Sequence, residues 1–213
     1  YAKIRKENGL VEVDYSQLID AGILRRVLGR DDQPLIITVY IWDNDAPHND
    51  ASNRKVEVSV WEVVRGGTRD FILMSEVFDE LYTDDRTRRF AQEVVFGKAA
   101  FALMKELGII PDILHLNEAH TVVAAAQVRA DEAFERTAIV YTNHTIVPAG
   151  LEMHRPESVG ANVDRMMYQI GLPIDRHEQY RSAFLKDGIV DFCYAAMKLA
   201  DVVTAVSNEH ARA

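Results

Sequence analysis

The stretch from residue 111 to residue 121 constrains the fold of this chain more than any other. Its sequence is Pro-Asp-Ile-Leu-His-Leu-Asn-Glu-Ala-His-Thr. The apolar first half predicts a short buried strand that ends near Asn117, and the second half begins a helix that continues to Arg129. A strand that passes directly into a helix is the repeating unit of parallel α/β sheets, so the pattern predicts an α/β protein.

Polar side chains are concentrated where this strand ends and the helix begins. They are His115, Asn117, Glu118 and His120. A second polar group, at residues 141–145, follows the next predicted strand. Ligands bind at the carboxyl edge of open α/β sheets, and parallel strands bring their carboxyl ends to the same edge. We therefore expect the two polar groups to face one crevice.

The chain divides into two parts of different character. Residues 1–80 are rich in strands, whereas residues 81–213 alternate strands with helices. In the first part, residues 55–64 alternate polar with apolar side chains, which predicts an antiparallel strand with one solvated face. The neighbouring strands predicted at residues 34–42 and 69–75 complete an antiparallel meander.

The second part has the alternation of a doubly wound parallel sheet. Its longest predicted helix covers about residues 87–107 and ends at Gly108, in the position of a C-cap glycine. The remaining predicted elements are strands at residues 137–142 and 202–207 and helices within residues 159–183 and at residues 189–200.

Charge and composition argue against several classes of function. A formal net charge of −9 does not provide the basic surface that binding to a nucleic-acid backbone requires. No apolar run is long enough to span a bilayer, and no signal peptide opens the sequence. The single cysteine, Cys193, cannot form an internal disulfide, which favours a reducing, cytoplasmic setting. We expect neither a nucleic-acid nor a membrane partner.

Two segments together resemble the α-glucan phosphorylases, the family of glycogen, starch and maltodextrin phosphorylase. They are His115-Leu-Asn-Glu-Ala-His120 and Tyr141-Thr-Asn-His-Thr-Ile-Val-Pro-Ala-Gly150. That family carries Leu-Asn-(Asp or Glu)-x-His, followed about one βα unit later by Thr-(Asn or Thr)-His-Thr and a proline-containing loop. Ala119 and Ile146 depart from the glycine and proline that are usual in its short members.

The resemblance implies a fold of the glycosyltransferase-B type, in which two Rossmann-like domains enclose the active site. It assigns residues 1–213 to the N-terminal domain, with residues 1–80 as a β-rich portion and residues 81–213 as a Rossmann-like portion. Both ends have the character of cuts within a longer polypeptide. We accordingly expect the isolated chain to be inactive and the remaining parts of the same polypeptide to be its partners. The oligomeric state stays open, with a homo-oligomer as one alternative.

The resemblance also implies a reaction and the residues that serve it. The full-length parent would transfer a terminal glucosyl unit from an α-1,4-glucan to phosphate, giving glucose 1-phosphate. His144 is the implied catalytic residue, in contact with the glucosyl unit at the cleaved bond. The implied substrate-binding residues line the sugar pocket or hold its loop: Asn117, Glu118, His120, Asn143 and Thr145.

Pyridoxal phosphate is the cofactor that the resemblance implies for the parent. Its lysine would lie in the C-terminal domain, and the glycine-rich loop that holds the substrate phosphate would lie upstream of Tyr1. No cofactor-binding residue is therefore expected in this chain. No metal site is expected either, because the histidines lack the spacing of the His-Glu-x-x-His zinc helix.

Other roles remain open for the same residues. Asn117 is equally suited to cap the following helix, and a carboxylate at Glu118 favours the positive end of a helix dipole without any ligand. A nucleotide-sugar glycosyltransferase of the same architecture, such as a starch or glycogen synthase, is the alternative enzyme. Such enzymes usually have Asp-Trp-His where this chain has Asn117-Glu-Ala-His120, which counts against that alternative. A non-catalytic glucan-binding module is the alternative from a different class.

Overall fold

An antiparallel sheet and a parallel sheet follow one another along the chain. The computed structural model describes residues 3–6, 9–12, 15–42, 53–80, 83–145, 151–159, 162–172 and 174–208. The strands are β1 (Lys3–Lys6), β2 (Gly9–Glu12), β3 (Arg25–Arg26), β4 (Ile36–Trp42), β5 (Asn53–Arg65), β6 (Thr68–Met74), β7 (Ile113–Asn117), β8 (Ala138–Asn143), β9 (Met153–His154), β10 (Leu185–Lys186), β11 (Ile189–Asp191) and β12 (Val202–Ala205).

The helices lie mainly in the second half of the chain. They are α1 (Ser16–Asp20), α2 (Arg86–Leu107), α3 (Val122–Ala130), α4 (Val163–Ile170), α5 (His177–Phe184) and α6 (Phe192–Leu199). Short 3₁₀ helices lie at Glu76–Phe78, Ala119–Thr121, Glu132–Phe134, Pro156–Val159 and Ile174–Arg176. None of the helices within the described ranges combines the length and the apolar character needed to cross a membrane.

The antiparallel meander predicted for the first part is confirmed. Strand β5 is its central strand and pairs with β4 and with β6. Val56, Val58 and Val60 are buried on one face of β5, whereas Lys55 and Glu57 are exposed on the other. These valines belong to the hydrophobic core, because period-two alternation directs the apolar side chains of a strand to one side. The sheet contacts α2 mainly through β4.

Helix α2 connects the antiparallel sheet to the rest of the molecule. The Asp85 carboxylate caps its start by accepting hydrogen bonds from the N–H groups of Thr87 and Arg88, at 2.9 and 3.1 Å. Its C-cap is Gly108, at φ 64°, in the left-handed conformation that glycine adopts without strain. The helix packs against β4 and against α3.

The parallel sheet carries the strand-to-helix junction. Its strand order is β12-β8-β7, with both pairs parallel. Leu116, Ile139 and Tyr141 are buried on the face that the helices α3 and α6 cover. The register sets Asn117 beside Thr142, so the two junctions lie at the same carboxyl edge of the sheet, as expected.

The structure corrects two predicted element boundaries. The predicted helix at residues 189–200 begins only at Phe192, because its first residues form the strand β11. The β-branched pair Ile189 and Val190 favours a strand, and Gly188, at φ 77°, turns the chain from β10 into β11. After the polar junction, α3 begins at Val122 rather than at Glu118, preceded by a 3₁₀ helix.

The close approach of α2 to α3 generates a first prediction, at Gly97. A methyl group at this position would lie 2.5 Å from Cβ of Val123 and 2.8 Å from the backbone nitrogen of Ala124. We expect Gly97→Ala to lower the free energy of unfolding by about 1–3 kcal/mol, because overpacking outweighs the better helix propensity of alanine. Urea unfolding measures the difference.

The exposed Glu106, on the same helix, provides the control. Glu106→Ala should change the free energy of unfolding by no more than about 0.5 kcal/mol. A Gly97→Ala protein that is more stable than the parent would show that the two helices do not approach so closely.

Candidate functional site

The backbone of Glu118 adopts a conformation that is rare for any residue except glycine. Its φ is 72° and its ψ is 163°. A side chain held in this region costs about 1–3 kcal/mol and persists only where the surroundings impose it. Glu118 lies directly after β7, at the junction where the sequence concentrates its polar residues.

Backbone hydrogen bonds hold Glu118 in this conformation. Its N–H group donates to the carbonyl of Thr142 at 3.1 Å, which extends the pairing of β7 with β8 by one residue. Its carbonyl accepts a hydrogen bond from the Thr121 hydroxyl at 2.7 Å, within the turn that leads into α3. Glu118 is therefore fixed on both sides, by the neighbouring strand and by the start of the helix.

The Glu118 carboxylate joins the two polar groups. Its Oε1 atom accepts a hydrogen bond from the backbone N–H of His144 at 2.9 Å and another from the Thr145 hydroxyl at 3.1 Å. The expectation that the two groups share one edge is thus confirmed. The Asn143 side chain accepts from the N–H of Thr145 at 3.1 Å, so it also shapes the segment that carries His144.

A row of hydrogen bonds crosses all three strands of the parallel sheet beside this junction. The Nε2 atom of His115 lies 2.7 Å from the Thr142 hydroxyl, which lies 2.7 Å from the Thr204 hydroxyl. Asn117 ends β7 with an exposed side chain, and the N-cap of the following turn is Glu118 instead. The capping alternative for Asn117 is therefore wrong.

His120 is half-buried in the 3₁₀ helix that follows Glu118, and its ring centroid lies 6.3 Å from that of Phe96. Burial lowers the pKa of His120, and the positive charge of Arg89 lowers it further. The carboxylates of Glu152 and Glu118 act in the opposite direction but do not outweigh these effects. A neutral imidazole at physiological pH can donate one hydrogen bond and accept another, for example with a hydroxyl group of a ligand.

A buried ionic network lies behind His120. Arg89, on α2, donates to the Glu152 carboxylate at 2.5 Å and lies 3.1 Å from the carboxylate of Glu93. The other oxygen of Glu93 lies 2.7 Å from Nε2 of His154. Glu152 and His154 lie where the described residues resume after residue 150, and the network ties this part of the chain to α2.

Burial and the positive charge of Arg89 shift the pKa values of the titratable groups in this network. Burial and the charge of Glu152 raise the pKa of Glu93 well above its ordinary value. Burial opposes ionisation of Glu152 as well, but the hydrogen bond and charge of Arg89 outweigh it and lower the pKa. Burial lowers the pKa of His154 to about 4. The network thus holds an ionised Glu152 and a neutral His154 at pH 7, together with a Glu93 whose pKa is raised.

The same network includes the set of possible metal ligands found among the described residues. Ligand atoms of Glu93, Glu152 and His154 lie within 4.8 Å of one another. The guanidinium of Arg89 lies against the carboxyl groups of both Glu93 and Glu152, and its fixed positive charge disfavours a metal cation beside them. The geometry therefore favours an ion-pair network over a metal site.

Sequence patterns did not reveal this network. A short basic run such as residues 86–89 is typical of a solvated helix face, yet the Arg89 side chain is only 15% exposed. His154 has no apolar periodicity around it, although it is fully buried between Phe90 and Phe192. The spacing of Arg89 and Glu93, one helical turn apart, was the one available signal.

Comparison with known proteins assigns the chain to a family. A family model for the starch synthase catalytic domain matches residues 36–213, which include both junctions. The chain belongs to this family. Its sequence is that of a glycosyltransferase catalytic domain, as the sequence patterns indicated at this coarser level.

A solved structure supports the fold. The catalytic domain of starch synthase IV from Arabidopsis thaliana, bound to ADP and acarbose, is similar with a TM-score of 0.59 and 18% identity, over 86% of this chain and 34% of that chain. At this identity the likeness concerns the fold alone. The predicted class, an α/β glycosyltransferase-B type domain with additional antiparallel strands, is confirmed.

The curated relatives include both synthases and phosphorylases. The chain is 24% identical to maltodextrin phosphorylase of Thermococcus litoralis over 83% of its length and 31% identical to glycogen synthase of Desulforudis audaxviator over 63%. It is 23% identical to glycogen phosphorylase of Aquifex aeolicus over 98%. The chain spans only 19%, 25% and 32% of these relatives, respectively. A glycosyltransferase is supported, whereas a phosphorylase in particular is not.

The buried network predicts how stability depends on pH. Because the pKa of Glu93 is raised by folding, the folded state keeps a proton that the unfolded state releases above about pH 4.3. Glu93 therefore makes stability fall as pH rises from there toward its raised pKa. We expect Glu93→Gln, which does not titrate, to be at least as stable as the parent at pH 8. Thermal unfolding at several pH values from 5 to 9 measures the difference.

A second variant and the titration of His154 determine how this comparison is read. Glu93→Ala should lose stability at every pH, because it leaves a cavity and a buried imidazole without its partner. His154, whose pKa is lowered, contributes the opposite slope between about pH 4 and its unfolded pKa of about 6.5, so the comparison is cleanest above pH 7. A glutamine variant less stable than the parent at pH 8 would indicate an ionised Glu93.

Proposed function

We propose that this chain is part of the N-terminal domain of an enzyme similar to starch and glycogen synthases. The enzyme transfers a glucosyl unit from a nucleoside diphosphate glucose to the end of an α-1,4-glucan. The observation that carries the proposal is the starch synthase family match over residues 36–213, which spans the Glu118 and His144 junction. The likeness in fold to a starch synthase catalytic domain bound to ADP and acarbose agrees with this proposal.

The proposed reaction exchanges one bond at the anomeric carbon of glucose for another. The bond to the diphosphate oxygen breaks, the bond to the 4-hydroxyl oxygen of the glucan forms, and the hydroxyl proton leaves with the displaced diphosphate or its surroundings. Positive charge develops on the sugar ring as the old bond breaks. Fixed dipoles stabilise such a charge more effectively than water, because they need no reorganisation.

The residues of the junction suit the sugar side of this cleft. The exposed His144 is held at its backbone N–H by Glu118, and its side chain is proposed to contact the glucosyl unit. His120 and Asn117 offer hydrogen bonds to sugar hydroxyls from the neighbouring turn and strand. Asn143 and Thr145 shape the segment from within.

An α-glucan phosphorylase is the second candidate. It is favoured by the match to maltodextrin phosphorylase over 83% of the chain and by the adjacency of the two motifs that suggested this family. Such an enzyme would cleave the terminal glucosyl unit of an α-1,4-glucan with inorganic phosphate. The two candidates share the glucan and the sugar pocket, but they exchange different groups at the anomeric carbon. The synthase forms a bond to the 4-hydroxyl oxygen of the glucan and releases the nucleoside diphosphate, whereas the phosphorylase forms a bond to inorganic phosphate and releases the shortened glucan.

Pyridoxal phosphate, which the second candidate implies, does not fit the residues described here. Lys98 has the chemistry for a Schiff base, because burial lowers its pKa to about 8. Its ammonium, however, donates to the carbonyls of Tyr40 and Gln169 at 2.8 and 3.2 Å, where it joins α2 to β4 and α4. We therefore assign no cofactor residue in this chain and route no step through the cofactor.

Two parallel assays of the full-length protein that carries this chain test the proposal. The first supplies ADP-glucose or UDP-glucose with glycogen and measures glucose incorporation into the polymer. The second supplies maltodextrin with inorganic phosphate and measures glucose 1-phosphate. We expect activity in the first assay only. Phosphate-dependent release alone would establish the second candidate, and a protein inactive in both assays would favour a non-catalytic glucan-binding module.

Replacement of His144 tests the site within the same enzyme. His144→Ala removes an exposed side chain, so the free energy of unfolding should change by no more than about 0.5 kcal/mol. We expect kcat to fall on the order of 100-fold, the usual cost of losing one group that stabilises the transition state. His177→Ala, which removes an imidazole bonded to the carbonyl of Leu172, provides the control with unchanged kcat. An unfolded His144→Ala protein would instead assign His144 a structural role.

A further inference from the structure

We propose that Glu118 is a positioning residue, whose carboxylate holds the segment of His144 in its working geometry rather than binding the sugar. The proposal rests on the proposed function for its activity measurements. It assigns Glu118 a role different from the substrate contact that the sequence resemblance implied. The geometry of its bonds and the strain of its backbone carry the argument independently of each other.

The first argument is the direction of the carboxylate. Glu118 Oε1 accepts both the backbone N–H of His144 and the hydroxyl of Thr145, at 2.9 and 3.1 Å. Two donors on one oxygen atom hold the carboxylate against the chain that follows β8. A hydrogen bond from a backbone N–H to a carboxylate is stronger than one between neutral groups, so it restrains the peptide that precedes the imidazole.

The second argument is the backbone of Glu118 itself. With φ at 72° and ψ at 163°, this position would be occupied with the least strain by glycine. Fold stability alone would favour glycine here, because the backbone hydrogen bonds to Thr142 and Thr121 do not need a side chain. What a glutamate adds at this strained position is its carboxylate, and that carboxylate is bonded to the His144 segment.

A charged pair holds the chain where the described residues resume after Thr145. Arg89, on α2, donates to Glu152 at 2.5 Å. Loss of the Glu118 carboxylate leaves this ion pair in place, so we expect the backbone at His144 and Thr145 to loosen without loss of the fold.

Replacement of Glu118 in the full-length enzyme tests the proposal. Glu118→Gly should keep or raise the melting temperature, because glycine relieves the backbone strain, while kcat falls on the order of 100-fold through misplacement of His144. Glu118→Gln, which keeps an acceptor oxygen of the same reach, should recover part of the lost kcat. The KM for the glucosyl donor should change little in both variants.

Hydrogen–deuterium exchange provides a readout that needs no activity. The His144 amide should exchange at least 10-fold faster in Glu118→Gly than in the parent, with an intermediate rate in Glu118→Gln, since exchange requires that the bond to the carboxylate open. Asp32, at φ 60° between β3 and β4, offers a control. Asp32→Gly also replaces a residue of positive φ by glycine and should leave kcat and the exchange of His144 unchanged.

The outcomes separate this proposal from the proposed function. A Glu118→Gly protein with unchanged exchange at His144 overturns the positioning role, whatever its activity. So does a large rise in KM with unchanged kcat, which would make Glu118 a sugar contact. If the parent shows neither synthase nor phosphorylase activity, the proposed function fails, and the exchange measurement still decides whether Glu118 holds the segment.

Discussion

The hydrogen bond from the Glu118 carboxylate to the backbone of His144 is the contact on which the candidate site depends. It joins the end of β7 to the end of β8, two neighbouring strands whose order in the sheet places their carboxyl ends side by side. The sheet brings Glu118 and His144 near each other, and the hydrogen bond to the Glu118 carboxylate fixes their relative position. The strained backbone of Glu118 is sustained by its bonds to both strand and helix.

Helix α2 provides the frame for this contact. Its buried face packs on β4 at one side and on α3 at the other, through the close approach at Gly97. From the same helix Arg89 and Glu93 extend into the buried network that holds Glu152 and His154. The helix thus fixes the chain at Glu152 and His154, whereas Glu118, at the end of β7, fixes it at His144.

The electrostatic character of the site follows from its depth. Burial and the charge of Arg89 lower the pKa values of His120 and His154, so both imidazoles are neutral at pH 7. Burial and the charge of Glu152 raise the pKa of Glu93, whereas Arg89 keeps Glu152 ionised. The positive charge of Arg89 is therefore compensated by Glu152.

The local sequence by itself determined the secondary-structure elements and the grouping of polar residues after β7 and β8. Alternation in β5, the capped run of α2 and the polar residues after β7 and β8 each predicted what the structure contains, because these signals act over a few residues. Tertiary structure alone decided how the polar residues are used. The hydrogen bond between Glu118 and His144 joins residues 26 positions apart, and the ion pair between Arg89 and Glu152 joins residues 63 positions apart. No local pattern encodes such contacts, since they arise only when separate strands and helices pack against one another.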